Sequence, residues 1–148
     1  MPTPISQRRR RQQSGLTLIE MLVVVTIIAV FAAVVGPRVL KYGDTAKKTA
    51  ARQQINSFNT AIGAYKLDTS LFPTNEQGLK ALREKPEGVN GWAGPYLPME
   101  VPTDPWNRPY VYKYPGDHGD EPDILSYGAD GQPGGTDINE DIVSWKSK

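Results

Sequence analysis

Four consecutive arginines, Arg8 to Arg11, precede a run from Leu16 to Gly36 whose only charged residue is Glu20. At about 1.5 Å per residue, this 21-residue run makes roughly 30 Å of helix, which matches the hydrocarbon core of a bilayer. The arginines predict that the N-terminus stays in the cytoplasm and that the C-terminal bulk crosses the membrane. A carboxylate in lipid costs on the order of 3 kcal/mol on insertion scales, so Glu20 requires water, a partner or a purpose. Two bland explanations compete with a functional one. Glu20 lies only four residues after Leu16, near enough to the headgroups to stay hydrated. Alternatively, the segment is a secretory signal peptide with a basic n-region, an apolar core and small residues at Ala29, Ala32 and Ala33. Val30-Phe31-Ala32 would serve as its cleavage site, although an acid inside the apolar core argues against it.

The third explanation rests on Gly15-Leu16-Thr17-Leu18-Ile19-Glu20. This segment resembles the class III leader junction of type IV pilins and type II secretion pseudopilins. The resemblance implies that a prepilin peptidase cuts between Gly15 and Leu16 on the cytoplasmic side and methylates the new N-terminus. Leu16 is a departure, because most relatives carry Phe or Met there, but it remains large and apolar. Pro37 falls where these families place a helix-kinking proline. Leader removal leaves a positive α-amino group at the tip of an apolar helix. Glu20 of one subunit can then pair with the amine of a neighbour when such helices bundle. An unpaired charge in lipid is strongly unfavourable, so the pair favours one axial stagger between subunits.

The 148 residues include no cysteine, which excludes a disulfide framework even in an oxidising periplasm. Beyond the span there is material for one small domain plus a helix. Four of the 17 basic residues sit in the leader, leaving 13 against 16 acids, about −3 for the mature chain. From Gly116 to Asp141 there are eight acids and no Lys or Arg. That balance disfavours nucleic acid, which needs a basic surface. It suits a cation.

After Pro37 the pattern continues as helix. Ala51, Ile55, Phe58, Ile62 and Tyr65 make one apolar stripe, opposed by Lys47, Lys48, Arg52, Gln53 and Asn56. Gly36, Pro37 and Gly43 are expected to weaken the joint between the two halves of this helix, which should end between Leu67 and Ser70. A short helix is expected from Asn75 to Arg83, capped by Thr74 with Gln77 at the capping-box position. Strands are expected at Tyr110–Tyr114, Ile124–Tyr127 and Ile142–Trp145, with Trp92, Trp106 and Trp145 as core anchors. The fold class is α+β: a long N-terminal helix packed on a small antiparallel sheet.

Tyr127 to Ile142 is the second informative segment. Calcium needs six to eight oxygens from carboxylates, carbonyls and water. A loop with four glycines can turn carbonyls inward while Asp130 and Asp137 supply charge from its two ends. The spacing is not that of an EF-hand. By composition alone, a solvated acidic turn stands beside the metal site as an explanation. Asp104-Pro105-Trp106-Asn107-Arg108-Pro109-Tyr110-Val111-Tyr112, followed by Tyr127-Gly128-Ala129-Asp130-Gly131 and Gly134-Gly135, resembles the C-terminal signature of the major pseudopilins of type II secretion systems. The resemblance implies a Ca2+ ion held by the carboxylates of Asp130 and Asp137 and the carbonyl of Tyr127. The carbonyl of Gln132 and a side chain among Asn139 to Asp141, with Asn139 and Asp141 as candidates, complete the implied set. Asn107 stands where relatives often have glycine, and Ile138 where some have another acid. The ion would replace a disulfide by clipping a loop whose acids repel one another.

The resemblance further implies a type IV pilin-like fold and a structural subunit, not an enzyme. Its layout is a cytoplasmic leader over 1–15, a transmembrane half-helix over 16–36, an amphipathic periplasmic half over 37–68 and a periplasmic globular domain over 69–148. Such a subunit is a single-pass inner-membrane protein that polymerises through its N-terminal helices into a periplasmic pseudopilus. Its implied partners are the prepilin peptidase, minor pseudopilins, an inner-membrane assembly platform with its ATPase, and an outer-membrane secretin channel. The chain itself lacks a phosphate-binding loop ending in Lys-Ser or Lys-Thr. The alternatives are a type IV pilin, a minor pseudopilin, a membrane-anchored enzyme and a membrane-anchored periplasmic calcium-binding module. His118, the sole histidine, sits in a Gly/Asp loop and reads as a surface residue.

Overall fold

The architecture is that of a computed structural model, which describes residues 17–146; of residues 36–41 only the backbone is described. The cleavage junction Gly15–Leu16 lies outside the described residues. Two compact units divide the chain, residues 1–40 and 41–148.

The first element, α1, runs from Leu18 to Thr69. Every residue from Leu18 to Val35 is exposed, including Leu18 at 86% and Phe31 at 66%. A helix apolar on all sides is suited to lipid or to a bundle of other helices. Helical backbone continues through Gly36, Pro37 and Gly43. Proline removes one donor and strains one turn, a cost that does not end α1.

In the second unit α1 becomes amphipathic. Ala51, Ile55, Phe58, Ile62 and Tyr65 are all buried, and Ala61 joins them. Ser70, with φ of 60°, closes the helix in the left-handed region and donates its N–H to the Lys66 carbonyl at 2.8 Å.

The expected helix at Asn75–Arg83 is instead a turn followed by a 3₁₀ helix, Gly78–Leu82. The capping box is present: Thr74 N–H donates to Gln77 Oε1 at 3.0 Å, and Gln77 N–H to Thr74 Oγ1 at 3.3 Å. Gly78 has φ of +53° directly after it, which α-helical geometry does not accommodate. The tighter 3₁₀ turn then carries Leu79, Ala81 and Leu82 into the core.

Three antiparallel strands follow in the order β1 (Val111–Lys113), β2 (Asp123–Ser126) and β3 (Ile142–Val143). Tyr112 lies opposite Ile124, and Leu125 opposite Val143. The first and third strands are shorter than expected and the second is shifted one residue towards the N-terminus, and two of the ends have visible causes. Tyr114 gives its N–H to Asn75 Oδ1 and receives Asn75 Nδ2 on its carbonyl, both at 2.7 Å, so β1 stops at Lys113. The Tyr127 carbonyl turns to Gly131 N–H at 3.2 Å, so β2 stops at Ser126. The core joins α1 to the sheet, with Phe58 meeting Tyr110 edge-on at 5.1 Å. Trp92 and Trp106 pack against this core, whereas Trp145 lies outside it, stacked on His118 at 3.8 Å. An indole at the chain's C-terminal end meets the Gly/Asp loop before it reaches the core.

Candidate functional site

Glu20 has a partner within its own chain. Its Oε2 accepts the Thr17 N–H at 2.9 Å and the Thr17 hydroxyl at 3.0 Å, while its own N–H donates to Thr17 Oγ1 at 3.3 Å. This is a reciprocal capping box: the first turn of a helix has backbone donors with no intrahelical acceptor, and a Thr-x-x-Glu pair supplies two. The carboxylate also complements the positive end of the helix dipole. Thr17-Leu18-Ile19-Glu20 carries that signal in the sequence, beside the headgroup and intersubunit roles expected of Glu20. Further along the span, Thr26 donates its hydroxyl to the Leu22 carbonyl at 2.8 Å, so its polar atom also costs little in lipid.

The acidic loop between β2 and β3 rests on a buried carboxylate. Asp104, 3% exposed, accepts Trp106 N–H at 3.0 Å and Arg108 N–H at 2.8 Å on Oδ1, and the Ser126 hydroxyl on Oδ2 at 2.5 Å. Asn107 has φ of 63°, a conformation in which glycine is at ease and asparagine is tolerated. The turn aims Arg108 at the loop. Its guanidinium donates to the Gly128 carbonyl at 2.6 Å and the Ala129 carbonyl at 2.8 Å. Gly131 has φ of 70°, which favours glycine, and a Cβ there would stand 2.7 Å from that guanidinium and displace it.

Within the loop, Asp130 Oδ1 accepts Gln132 N–H at 3.0 Å and Asp141 Oδ2 accepts Gly134 N–H at 2.8 Å. Asp137 and Asn139 belong to a second 3₁₀ turn, Asp137–Asn139, and Asp137 has φ of 51°. Asp141 Oδ1 is buried with no hydrogen-bond partner. A buried, unpaired carboxylate oxygen is costly, and a water, another donor or a hard cation can each satisfy it. Among the described residues no three carboxylate, imidazole or thiolate groups come together at metal-ligand spacing. Any ion here therefore takes much of its shell from backbone carbonyls and water.

His118 is more constrained than a plain surface residue. Its Nδ1 lies 2.8 Å from Oδ2 of Asp123, which is buried, and its ring stacks on Trp145. Asp117 N–H donates to the same Asp123 oxygen at 2.8 Å, so the cluster closes the Pro115–Pro122 connection onto β2.

An exposed apolar helix that becomes amphipathic and packs on a small antiparallel sheet defines a pilin-like subunit. A model of the type II secretion system (T2SS), protein G family matches residues 38–145, and one of the prokaryotic N-terminal methylation motif matches residues 10–36. The chain belongs to the T2SS protein G family. It is 44% identical over 140 residues to the type II secretion system core protein G of Pseudomonas aeruginosa, covering 93% of this chain and 98% of that one. The protein of the same name from Vibrio cholerae is 40% identical over 141 residues, covering 93% and 95%. The crystal structure of the major pseudopilin from the type 2 secretion system of enterohaemorrhagic Escherichia coli aligns with a TM-score of 0.62 at 32% identity. It covers 72% of this chain and 89% of that one.

Proposed function

We propose that this chain is a major pseudopilin, the structural subunit of a periplasmic pseudopilus that drives folded proteins across the outer membrane. The observation that carries this most directly is Glu20, a carboxylate on a wholly exposed apolar helix within the segment that the methylation-motif model matches. The subunit sits in the inner membrane through residues 16–36, with 1–15 as cytoplasmic leader and 37–148 in the periplasm. Prepilin peptidase removes the leader after Gly15 and methylates Leu16. Before assembly, Thr17 satisfies the Glu20 carboxylate from within the chain. On assembly, the amine of a neighbouring Leu16 takes its place or adds to it, and the helices bundle with their exposed apolar faces together. Pro37 and its neighbouring glycines divide the membrane half of α1 from the periplasmic half. Minor pseudopilins, an inner-membrane platform with its ATPase and an outer-membrane secretin are the partners that this role requires.

Calcium belongs to the same proposal. The unpaired oxygen of Asp141 and the carboxylates of Asp130 and Asp137 suit a hard cation, with the Tyr127 and Gln132 carbonyls and Asn139 as further donors. Bound calcium would supply charge neutralisation that closes the loop in the absence of a disulfide.

N-terminal sequencing and intact mass of the membrane-purified protein test the processing. The expected chain begins at N-methylated Leu16. A chain that retains Arg8–Arg11, or begins beyond Ala32, contradicts it.

A further inference from the structure

Lys48 lies on α1, far in sequence from the acidic loop, yet its ammonium ends inside it. The ammonium donates to the Asp137 carbonyl at 2.9 Å and to Glu140 Oε2 at 2.8 Å, across 89 and 92 residues. Its side chain is 21% exposed, so the contact is partly shielded from water. The Asp137 carbonyl also accepts Glu140 N–H at 3.2 Å. A carbonyl oxygen has two lone pairs, and here both are used. An ion in this loop must therefore reach Asp137 through its carboxylate, not its carbonyl. Asp137 holds a left-handed φ of 51°, which the fixed carbonyl helps to maintain. The ammonium also neutralises Glu140, the loop acid outside the proposed ligand set.

We propose that Lys48 is a positioning residue for the cation loop. As a tethered cation on α1, it fixes the Asp137–Glu140 turn and leaves the Asp137 and Asp141 carboxylates for a divalent ion. The inference rests on the calcium-binding role proposed above. Two effects of the lysine oppose each other: its charge repels an incoming cation, and its hydrogen bonds hold the ligands in place. Glu140 offsets the charge at 2.8 Å, so the field reaching the loop is that of a close pair. The hydrogen bonds act on the Asp137–Glu140 turn, which follows Gly131, Gly134 and Gly135, all with positive φ, and glycine has the most conformational freedom to lose on ordering. Pre-organisation therefore outweighs repulsion.

The test uses the full-length chain in detergent micelles, with Lys48→Met, Lys48→Arg and, as a control, Lys113→Met, which removes the separate Lys113–Asp117 pair. Calcium chloride titrated calorimetrically gives the affinity, and amide hydrogen exchange in EDTA gives the protection of residues 134–141 without metal. Lys48→Met is expected to weaken calcium binding about tenfold, as loss of an outer-shell partner does, and to speed metal-free exchange. Lys48→Arg should restore both, and Lys113→Met should change neither. Calcium binding by Lys48→Met as tight as wild type, or tighter, with wild-type exchange, overturns the role of Lys48 while leaving the calcium site standing. Wild-type protein that takes up no calcium sinks the site and this inference together.

Discussion

Glu140 ties the acidic loop to α1 through Lys48, 2.8 Å from its Oε2. The hydrogen bond from Lys48 holds its carboxyl below the ordinary value of 4.5, helped by the charge of Lys48 and, more weakly, of Lys146 and Arg52. A carboxyl with a depressed folded pKa contributes stability that is present above its unfolded pKa and lost as pH falls through the folded one. Acidification through that lowered pKa should therefore loosen the hold of α1 on the loop. With 43% of the Glu140 side chain exposed, the effect on global stability is small. Hydrogen exchange of residues 134–141 as a function of pH measures it. Protection should fall with that titration in wild type, and Glu140→Gln should remove this part of the fall. Thr17 and Thr74 show the same chemistry twice: each opens a helical turn by trading hydrogen bonds with a Glu or Gln three residues on. Both patterns are written in the sequence. The first is harder to tell from its neighbours, because a charge in an apolar run also fits headgroup hydration or an intersubunit pair.

Among the elements, α1 was the most legible. A period of 3.6 buries Ala51, Ile55, Phe58, Ile62 and Tyr65 along one face whatever the rest of the chain does. Phe58 is completely buried and touches Tyr110, so it joins the helix to the approach to β1. Phe58→Ala should cost about 3–5 kcal/mol, read by thermal or urea unfolding of the detergent-solubilised chain. A loss under about 1 kcal/mol would mean that this contact does not form. The 3₁₀ segment at Gly78–Leu82 was misread because a glycine inside a helical pattern leaves open which sign of φ it adopts. The loop was legible in kind but not in construction. Arg108 reaches Gly128 across 20 residues and Lys48 reaches Glu140 across 92, and no local pattern encodes such pairings. The acidic composition pointed to a cation; the structure adds that two are already tethered there, on Arg108 and Lys48.

At the scale of the whole molecule, the chain has two tasks that it solves separately. Residues 41–148 bury a core of their own, and the segment Leu18–Val35 buries nothing. Without cysteine, the soluble unit relies on that core, the Asp104 network and its loop contacts. Calcium at a hundred times its dissociation constant should add about 2.7 kcal/mol to the stability of this unit. Differential scanning calorimetry with calcium and then EDTA checks this: the melting temperature should rise and return, and Asp130→Ala should abolish the rise. A melting temperature indifferent to EDTA contradicts the metal site. The apolar segment Leu18–Val35 carries one carboxylate, Glu20, which the proposed assembly pairs with a neighbouring subunit's amine. In-cell crosslinking of membrane helices, comparing wild type with Glu20→Val at equal membrane levels, measures this directly. Ladders of crosslinked subunits in wild type and monomer alone in Glu20→Val are predicted; a wild-type ladder from Glu20→Val would contradict the account.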